Sequence, residues 1–344
     1  MRVLVTGGAG FIGSSLCIAL AERHPDWEVV ALDILMRKGS ELNLPRLAKA
    51  CVEFVEADVR VPRELEAAGD FDALVECSAE PSVMAARDVI VPVNVFGAYH
   101  CFELAASRNA QVIFLSTSRV YPVAALEGLA FEETETRFEL ADDQPVHGAS
   151  EDGIAEDFPL AGSRTMYGAS KLCGELMLAE YDLDWVVNRC GVVAGPWQMG
   201  KVDQGVFTHW ALSAQLGRPL SYIGYGGTGK QVRDLLHVSD LVDLLERQLL
   251  APADYNGHTF NVGGGRSGSL SLLETTRICA ELTGQDLEVG AVEETRPGDV
   301  RCYISDCSAL FAHTDWRPSA SPRDILSDTF AWISQHKELV ADTL

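Results

Sequence analysis

The chain has 344 residues, with 27 Lys+Arg against 50 Asp+Glu, a formal net charge of −23 and 47% hydrophobic residues. That length supplies a sizeable core in one large domain or two modest ones. The acid excess solvates the surface and excludes a phosphate-tracking nucleic-acid binder or a ligand of anionic membranes, while a few local arginines still suffice for a small anionic ligand. Nine scattered cysteines with no C-x-x-C pair read as reduced thiols, with neither disulfides nor a metal site expected. The N-terminus enters an apolar run without the charged flank of a signal peptide, and no stretch is expected to approach the ~18 apolar residues of a membrane span. A cytoplasmic protein is expected.

Val3-Leu4-Val5 opens the chain as a strand, followed by a helix over Phe11–Arg23 with Ile12, Leu16, Ala19 and Leu20 on one side. Further strand-like runs follow at Glu28–Leu32, Val52–Glu56, Ala73–Cys77, Val112–Ser116 and Trp185–Arg189. Short, wholly apolar strands separated by helical segments indicate an α/β fold with a doubly wound parallel sheet, whose ligands lie at the carboxyl ends of the strands. Residues 122–163 are acidic and aperiodic, and are expected to form an active-site flap or insertion. A helix is predicted over Arg164–Tyr181, and beyond residue 190 a smaller mixed α/β lobe.

Between the first strand and first helix stands Thr6-Gly7-Gly8-Ala9-Gly10-Phe11-Ile12-Gly13. In that context Gly7 and Gly8 supply a tight turn, Gly10 admits a pyrophosphate, Gly13 allows close helix–sheet packing, and the first helical N–H groups, from Phe11 and Ile12 on, receive the phosphates. Asp33, 20 residues beyond Gly13, is placed to accept the ribose hydroxyls of NAD; Arg37 and Lys38 leave some tolerance for NADP. Asp58 and Val59, after the third strand, are candidates to face the adenine. The division expected is a dinucleotide-binding domain over 1–190, with 232–262 returning to it, and a substrate lobe over 191–344.

Tyr167 and Lys171 are spaced i, i+4, on one helix face. A nearby ammonium stabilises phenolate, which suits Tyr167 to exchange a proton with an alcohol. Ser116-Thr117-Ser118 ends a central strand with hydroxyls that can bond the reacting oxygen. His237, beside Leu235 and Leu236, reads as a packed histidine rather than an acid/base. Trp197 to Lys201 either shape a sugar pocket or pack locally.

With the glycine loop, Asp33, Asp58-Val59, Ser116 to Ser118, Tyr167/Lys171, Gly195-Pro196, Arg233 to Val238 and Arg296-Pro297-Gly298-Asp299, the chain resembles the extended short-chain dehydrogenase/reductase family that works on nucleotide sugars. The resemblance implies a Rossmann domain, bound NAD, and catalysis by Thr117, Tyr167 and Lys171. It puts Cys77-Ser78-Ala79-Glu80 in place of the family's His-Leu-Ala-Ala segment, so that Ser78, Ala79 and Glu80, with Asn94 and Arg37, join the cofactor set. Arg233 and Arg296 are implied to hold the substrate diphosphate, with Asp299 near the nucleoside ribose and Ser118 and Gln204 completing the substrate set.

Arg37-Lys38-Gly39, Asp203-Gln204-Gly205, Gly229 to Asp234, Asn261 to Gly265 and Ser269 to Glu274 are most similar to CDP-paratose/CDP-tyvelose 2-epimerases. Ser118-Arg119 stands where the family's dehydratases carry an acidic pair, so 4,6-dehydration is not expected. Val192 replaces an Asn of many 4-epimerases. The expected reaction is epimerisation, at C2 of a CDP- or related NDP-hexose, by transient oxidation to a keto-sugar and hydride return to its other face. A 4-epimerase or a net NDP-sugar dehydrogenase/reductase is the alternative, and a non-catalytic NAD-binding regulator a more distant one. The family's dimer would pair the helices around Ala98–Ala106 and Lys171–Tyr181, although their apolar stripes could equally face the sheet.

Overall fold

The computed structural model describes residues 1–200 and 204–343, with no side-chain description beyond residue 340. The chain divides into two compact units. The first comprises Met1–Thr117, Met166–Arg189 and Leu241–Phe260; the second comprises Ser118–Thr165, Cys190–Asp240 and Asn261–Leu344.

Seven strands build the sheet of the first unit: β1 (Arg2–Thr6), β2 (Glu28–Asp33), β3 (Glu53–Glu56), β4 (Ala73–Glu76), β5 (Gln111–Thr117), β6 (Trp185–Cys190) and β7 (His258–Val262). Their order is β7-β6-β5-β4-β1-β2-β3 and the sheet is parallel. Val3, Leu4, Val5, Leu74, Val75, Val112, Ile113 and Phe114 are all within 1% of complete burial. Burial on both faces explains why these strands read as continuous apolar runs rather than alternating ones. The order reverses between β1 and β4, the place where a doubly wound sheet opens a crevice for ligand.

Helix α1 (Phe11–Arg23) follows β1, α2 (Ala98–Arg108) precedes β5, α3 (Met166–Leu178) precedes β6, and α4 (Val238–Leu250) carries the chain towards β7. One result departs from the expectation about apolar length. The helical run Arg87–Arg108 is long and apolar enough to cross a membrane by length and composition, with mean hydropathy 1.4. Half of that apolar stretch is buried, and Ile90, Val93, Ala98, Cys101, Phe102, Leu104 and Ala105 of the run face the interior.

In the second unit the strand Val232–His237 is central, parallel to Val192–Ala194 and Cys302–Tyr303 and antiparallel to Ser269–Ser271. Residues 118–165 group with this unit, not with the dinucleotide-binding domain as the 1–190 boundary has it. Long-range bonds tie them there: Phe138 N donates to Lys230 O at 3.0 Å, Ser271 Oγ to Thr136 O at 2.8 Å, and Ile154 N to Ile304 O at 2.8 Å.

Candidate active site

The turn after β1 is built on glycines that other residues could not replace. Gly7 has φ +64°, and Gly10 N donates back to Gly7 O at 2.9 Å. A Cβ on Gly13 would lie 2.2 Å from Gly7 O, and one on Gly8 would lie 2.6 Å from Ala31 Cα. Phe11 and Ile12 begin α1 directly, so their N–H groups face the turn with no side-chain cap.

Asp33 ends β2 beside this turn. Its Oδ2 accepts from Ala9 N at 3.1 Å and its Oδ1 from Leu35 N at 2.8 Å. Burial pushes the carboxyl up, and the N–H bonds from Leu35 and Ala9 oppose it. Arg37 follows in a half-buried loop whose carbonyl accepts from Ser40 N. Asp58 turns its carboxylate to Arg60, with Nε at 2.9 and 2.8 Å and Nη2 at 2.6 Å, and that fork holds the carboxyl below its usual range. Val59 is buried in the core beneath Gly97, where a Cβ would meet its Cγ2 at 2.7 Å. The side chains of this pair are thus engaged inside the unit.

Asn94 sits in a wide π-type turn (Val91–Gly97) and is 1% exposed. Its Oδ1 accepts from Glu80 N at 2.8 Å, and its Nδ2 donates to Glu80 O at 3.1 Å and to Ser170 Oγ at 3.0 Å. Ser170 Oγ in turn donates to Tyr167 O at 2.8 Å. One amide therefore links the Ser78-Ala79-Glu80 loop to the helix that carries Tyr167 and Lys171.

Tyr167 lies half-buried in the first turn of α3, Lys171 is buried one turn later, and Thr117 is the buried last residue of β5. The three expected catalytic residues belong to one unit. Gly174 lets α3 approach β5, since a Cβ there would lie 2.6 Å from Phe114 Cζ. Lys171 Nζ rests 4.0 Å from the Phe114 ring centroid and 3.4 Å from Glu76 Oε2.

In the second unit a pocket is lined by Ser118, Arg119, Tyr121, Val192, Arg233 and Tyr303, among others. Arg233 donates to Asp299 Oδ1, Val300 O and Val232 O, each at 2.7 Å, and Arg119 Nη1 donates to Gly298 O at 3.0 Å. The two arginines thereby fasten the Arg296-to-Asp299 turn, in which Asp299 N donates to Arg296 O at 3.1 Å. Arg296 is half-buried there. Gln204 stands before Gly205, the φ +72° residue that opens the helix Val206–Leu216; Lys201 and Asp203 lie outside the described residues.

The family pattern "NAD dependent epimerase/dehydratase family" matches residues 3–263. The chain belongs to this family. It is 28% identical to CDP-paratose 2-epimerase of Salmonella typhi, over 97% of this chain and 99% of that protein. It is 30% identical to a dTDP-glucose 4,6-dehydratase of Actinoplanes sp., over 96% and 97% respectively. Among solved structures it is similar to a Thermus thermophilus UDP-glucose 4-epimerase complexed with NAD, with TM-score 0.76, 27% identity and coverage of 97% and 99%. The UDP-glucuronic acid 4-epimerase of Bacillus cereus shares the fold at TM-score 0.78 and 23% identity, over 97% and 99%.

NAD is the cofactor of this NAD-dependent epimerase/dehydratase, and the residues present fit it. The close backbone packing of the glycine turn leads into a helix start with no side-chain cap, an arrangement that suits a phosphate, and Asp33 ends β2 beside it with a carboxylate, an acceptor that suits a ribose. Several residues escaped the sequence reading. Asn43 Nδ2 donates to Ala9 O at 2.8 Å and is itself held by Arg46 at 2.6 Å, whose guanidinium burial brings down to about 10. Glu175 takes Arg189 through Nε at 3.1 Å and Nη2 at 2.8 Å, and accepts from Ser116. A Glu at the fifth residue after Ser170 and an Arg in an apolar strand were visible in the sequence, but their pairing was not.

His237 is packed as expected: it bonds Ser239 Oγ at 2.6 Å, and burial lowers its pKa. Trp197 packs against Trp332 and His336, with ring centroids 5.7 and 4.7 Å away, which favours the local-packing reading.

Proposed function

We propose that this chain is a nucleotide-sugar epimerase that inverts a secondary alcohol, C2 of a CDP- or related NDP-hexose, through a keto-sugar. The observation that carries epimerisation over dehydration is the run after Thr117. Ser118 and Arg119 stand there, with Arg119 bonded to Gly298 O, where the dehydratases of the family it resembles carry an acidic pair. Expelling a sugar hydroxyl as water calls for a positioned acid and base, and neither of these two side chains is a carboxyl. The choice of C2 rests on the end-to-end similarity to CDP-paratose 2-epimerase.

In this reading Tyr167 takes the proton of the reacting hydroxyl and later returns one. Lys171, one helical turn away, stabilises the phenolate, and Thr117 bonds the reacting oxygen. NAD, when bound, supplies reversible hydride transfer and is left unconsumed. Gly7, Gly10, Phe11, Ile12 and Gly13 hold its pyrophosphate and Asp33 its ribose, while Asn94 steadies the Ser78-to-Glu80 loop. Arg233 and Arg296 hold the substrate diphosphate, for which arginine's planar fork is suited, with Asp299, Ser118 and Gln204 beside them.

We propose a homodimer as well, because Tyr99 and Leu176 are 42% and 65% exposed on the helices expected to pair, with Phe96, 54% exposed, in the turn that leads into the first of them. The test of function is NMR of the purified protein with a panel of nucleotide sugars in deuterated water, without added cofactor. Interconversion of C2 epimers with no deuterium at C2 is the expected result. Inversion at C4 would move the chemistry to another carbon, and deuterium at the inverted carbon would replace hydride return by deprotonation.

A further inference from the structure

Glu76 ends β4 at 1% exposure, and the mechanism above gives it no part. It is the register partner of Phe114 on β5 and of Thr6 on β1. Directly paired residues of neighbouring strands share a face, so carboxylate and ring stand side by side beneath α3. Lys171, 2% exposed, reaches down onto both, 3.4 Å from Glu76 Oε2 and 4.0 Å from the ring centroid of Phe114. The other carboxylate oxygen, Oε1, accepts from Ser78 Oγ, within the loop expected to meet the cofactor.

The groups around the Lys171 ammonium come from four elements. Glu76, which also takes Ser78 from the exit of β4, Cys101 of α2 and Phe114 of β5 stand near it, and on α3 itself Tyr167 and Glu175 lie four residues before and after Lys171, on the same helix face. Glu175 is bonded to the Arg189 fork, so among the described residues the carboxylate within ion-pair distance of Lys171 is Glu76. A lysine ammonium shut away from water favours its neutral form unless a carboxylate faces it, and only the charged form favours phenolate at a neighbouring tyrosine.

We propose that Glu76 is a positioning residue of the reaction: its carboxylate holds Lys171 one helical turn from Tyr167 and supplies the counter-charge to that buried side chain. The proposal rests on the reading of Tyr167 and Lys171 as the proton-moving pair. It assigns a role to a buried acid at the tip of β4, where the sequence reading saw only an apolar strand end.

The test compares Glu76→Gln and Glu76→Asp in the full chain, on the nucleotide sugar that the unsubstituted protein converts. Glu76→Gln should move the alkaline limb of the turnover–pH profile down by about one unit or more, so that turnover at pH 9 falls about tenfold further than at pH 7; Glu76→Asp should restore most of it. An unmoved profile, with only a lower melting temperature, would make the pair structural and overturn the proposal. A melting cycle of Glu76→Gln, Lys171→Met and the double variant needs no turnover. The double variant should melt higher than Glu76→Gln alone, since it buries no unpaired ammonium; simple addition of the two losses would overturn the proposal. If Glu76→Gln does not fold, Glu76→Asp and the double variant carry the comparison. Undiminished turnover in Tyr167→Phe would remove the parent reading and this one with it, whereas a defective Tyr167→Phe with additive melts removes this one alone.

Discussion

Replacing Gly13 by Ala isolates the part of the turn that is proposed to face the cofactor. The added methyl would lie 2.2 Å from Gly7 O and 2.9 Å from Gly7 C and Gly8 Cα. All three are backbone atoms, so no rotamer change relieves the clash. To reach even 3.0 Å from Gly7 O, the turn and the start of α1 must separate by about 0.8 Å. Overpacking of this kind costs about 1–3 kcal/mol. Gly10 N is bonded to that same Gly7 O, so the displacement passes into the segment expected to cradle the pyrophosphate. If about 2 kcal/mol of the strain is expressed against bound cofactor, NAD affinity falls about 30-fold. The measurement is NAD retained per chain after gel filtration, read by absorbance of the heat-released nucleotide, with a titration of NAD back into the stripped protein. The melting temperature of the stripped protein should drop by only a few degrees. Unchanged NAD affinity in a folded Gly13→Ala protein would refute the assignment of this turn as the pyrophosphate cradle.

Three other outcomes are expected. Tyr167→Phe should lower turnover by about 10² or more while leaving the melt and the NAD content near those of the parent, and an unchanged rate removes the phenol from the chemistry. Asp33→Ala should narrow the preference for NAD over NADP in binding titrations; an unaltered ratio would detach Asp33 from the ribose. Burial pushes the wholly buried Asp234 carboxyl from 3.8 up to about 6, so the native state binds that proton more tightly than the unfolded chain does. Its contribution to stability is therefore greatest below pH 4 and declines as pH rises from about 4 to 6, by roughly 3 kcal/mol. Urea unfolding across this window should show that the stability of Asp234→Asn, relative to the parent, rises as pH goes from about 4 to 6, and a constant difference would contradict the reasoning.

Much of the first unit was legible because its signals are local. The runs Val3-Leu4-Val5 and Val112–Ser116 are continuous in apolarity because both of their faces are buried, and the glycine turn declares itself by spacing. The helix expected over Arg164–Tyr181 begins at Met166 instead, as Arg164 is drawn to the carbonyls of Leu160 and Gly162 before the first turn. The acidic stretch 122–163 carried no periodicity to read. Its bonds run to Lys230, Ser271 and Ile304, partners more than 90 residues away in the chain.

What the sequence determined alone was the doubly wound sheet, the glycine turn with Asp33 beside it, and the placing of Tyr167 and Lys171 on one helix. They follow from unbroken apolar runs buried on both faces, from the 3.6-residue period of a helix and from the special backbone freedom of glycine, which act over a few residues. The tertiary structure decided which charges meet. Glu76 finds Lys171 across 95 residues, Arg233 finds Asp299 across 66, and Arg2 finds Glu53 across 51. Register between strands and the closeness of α3 to β5 set those distances, and a charged residue in a linear sequence carries no mark of the partner that packing will bring to it.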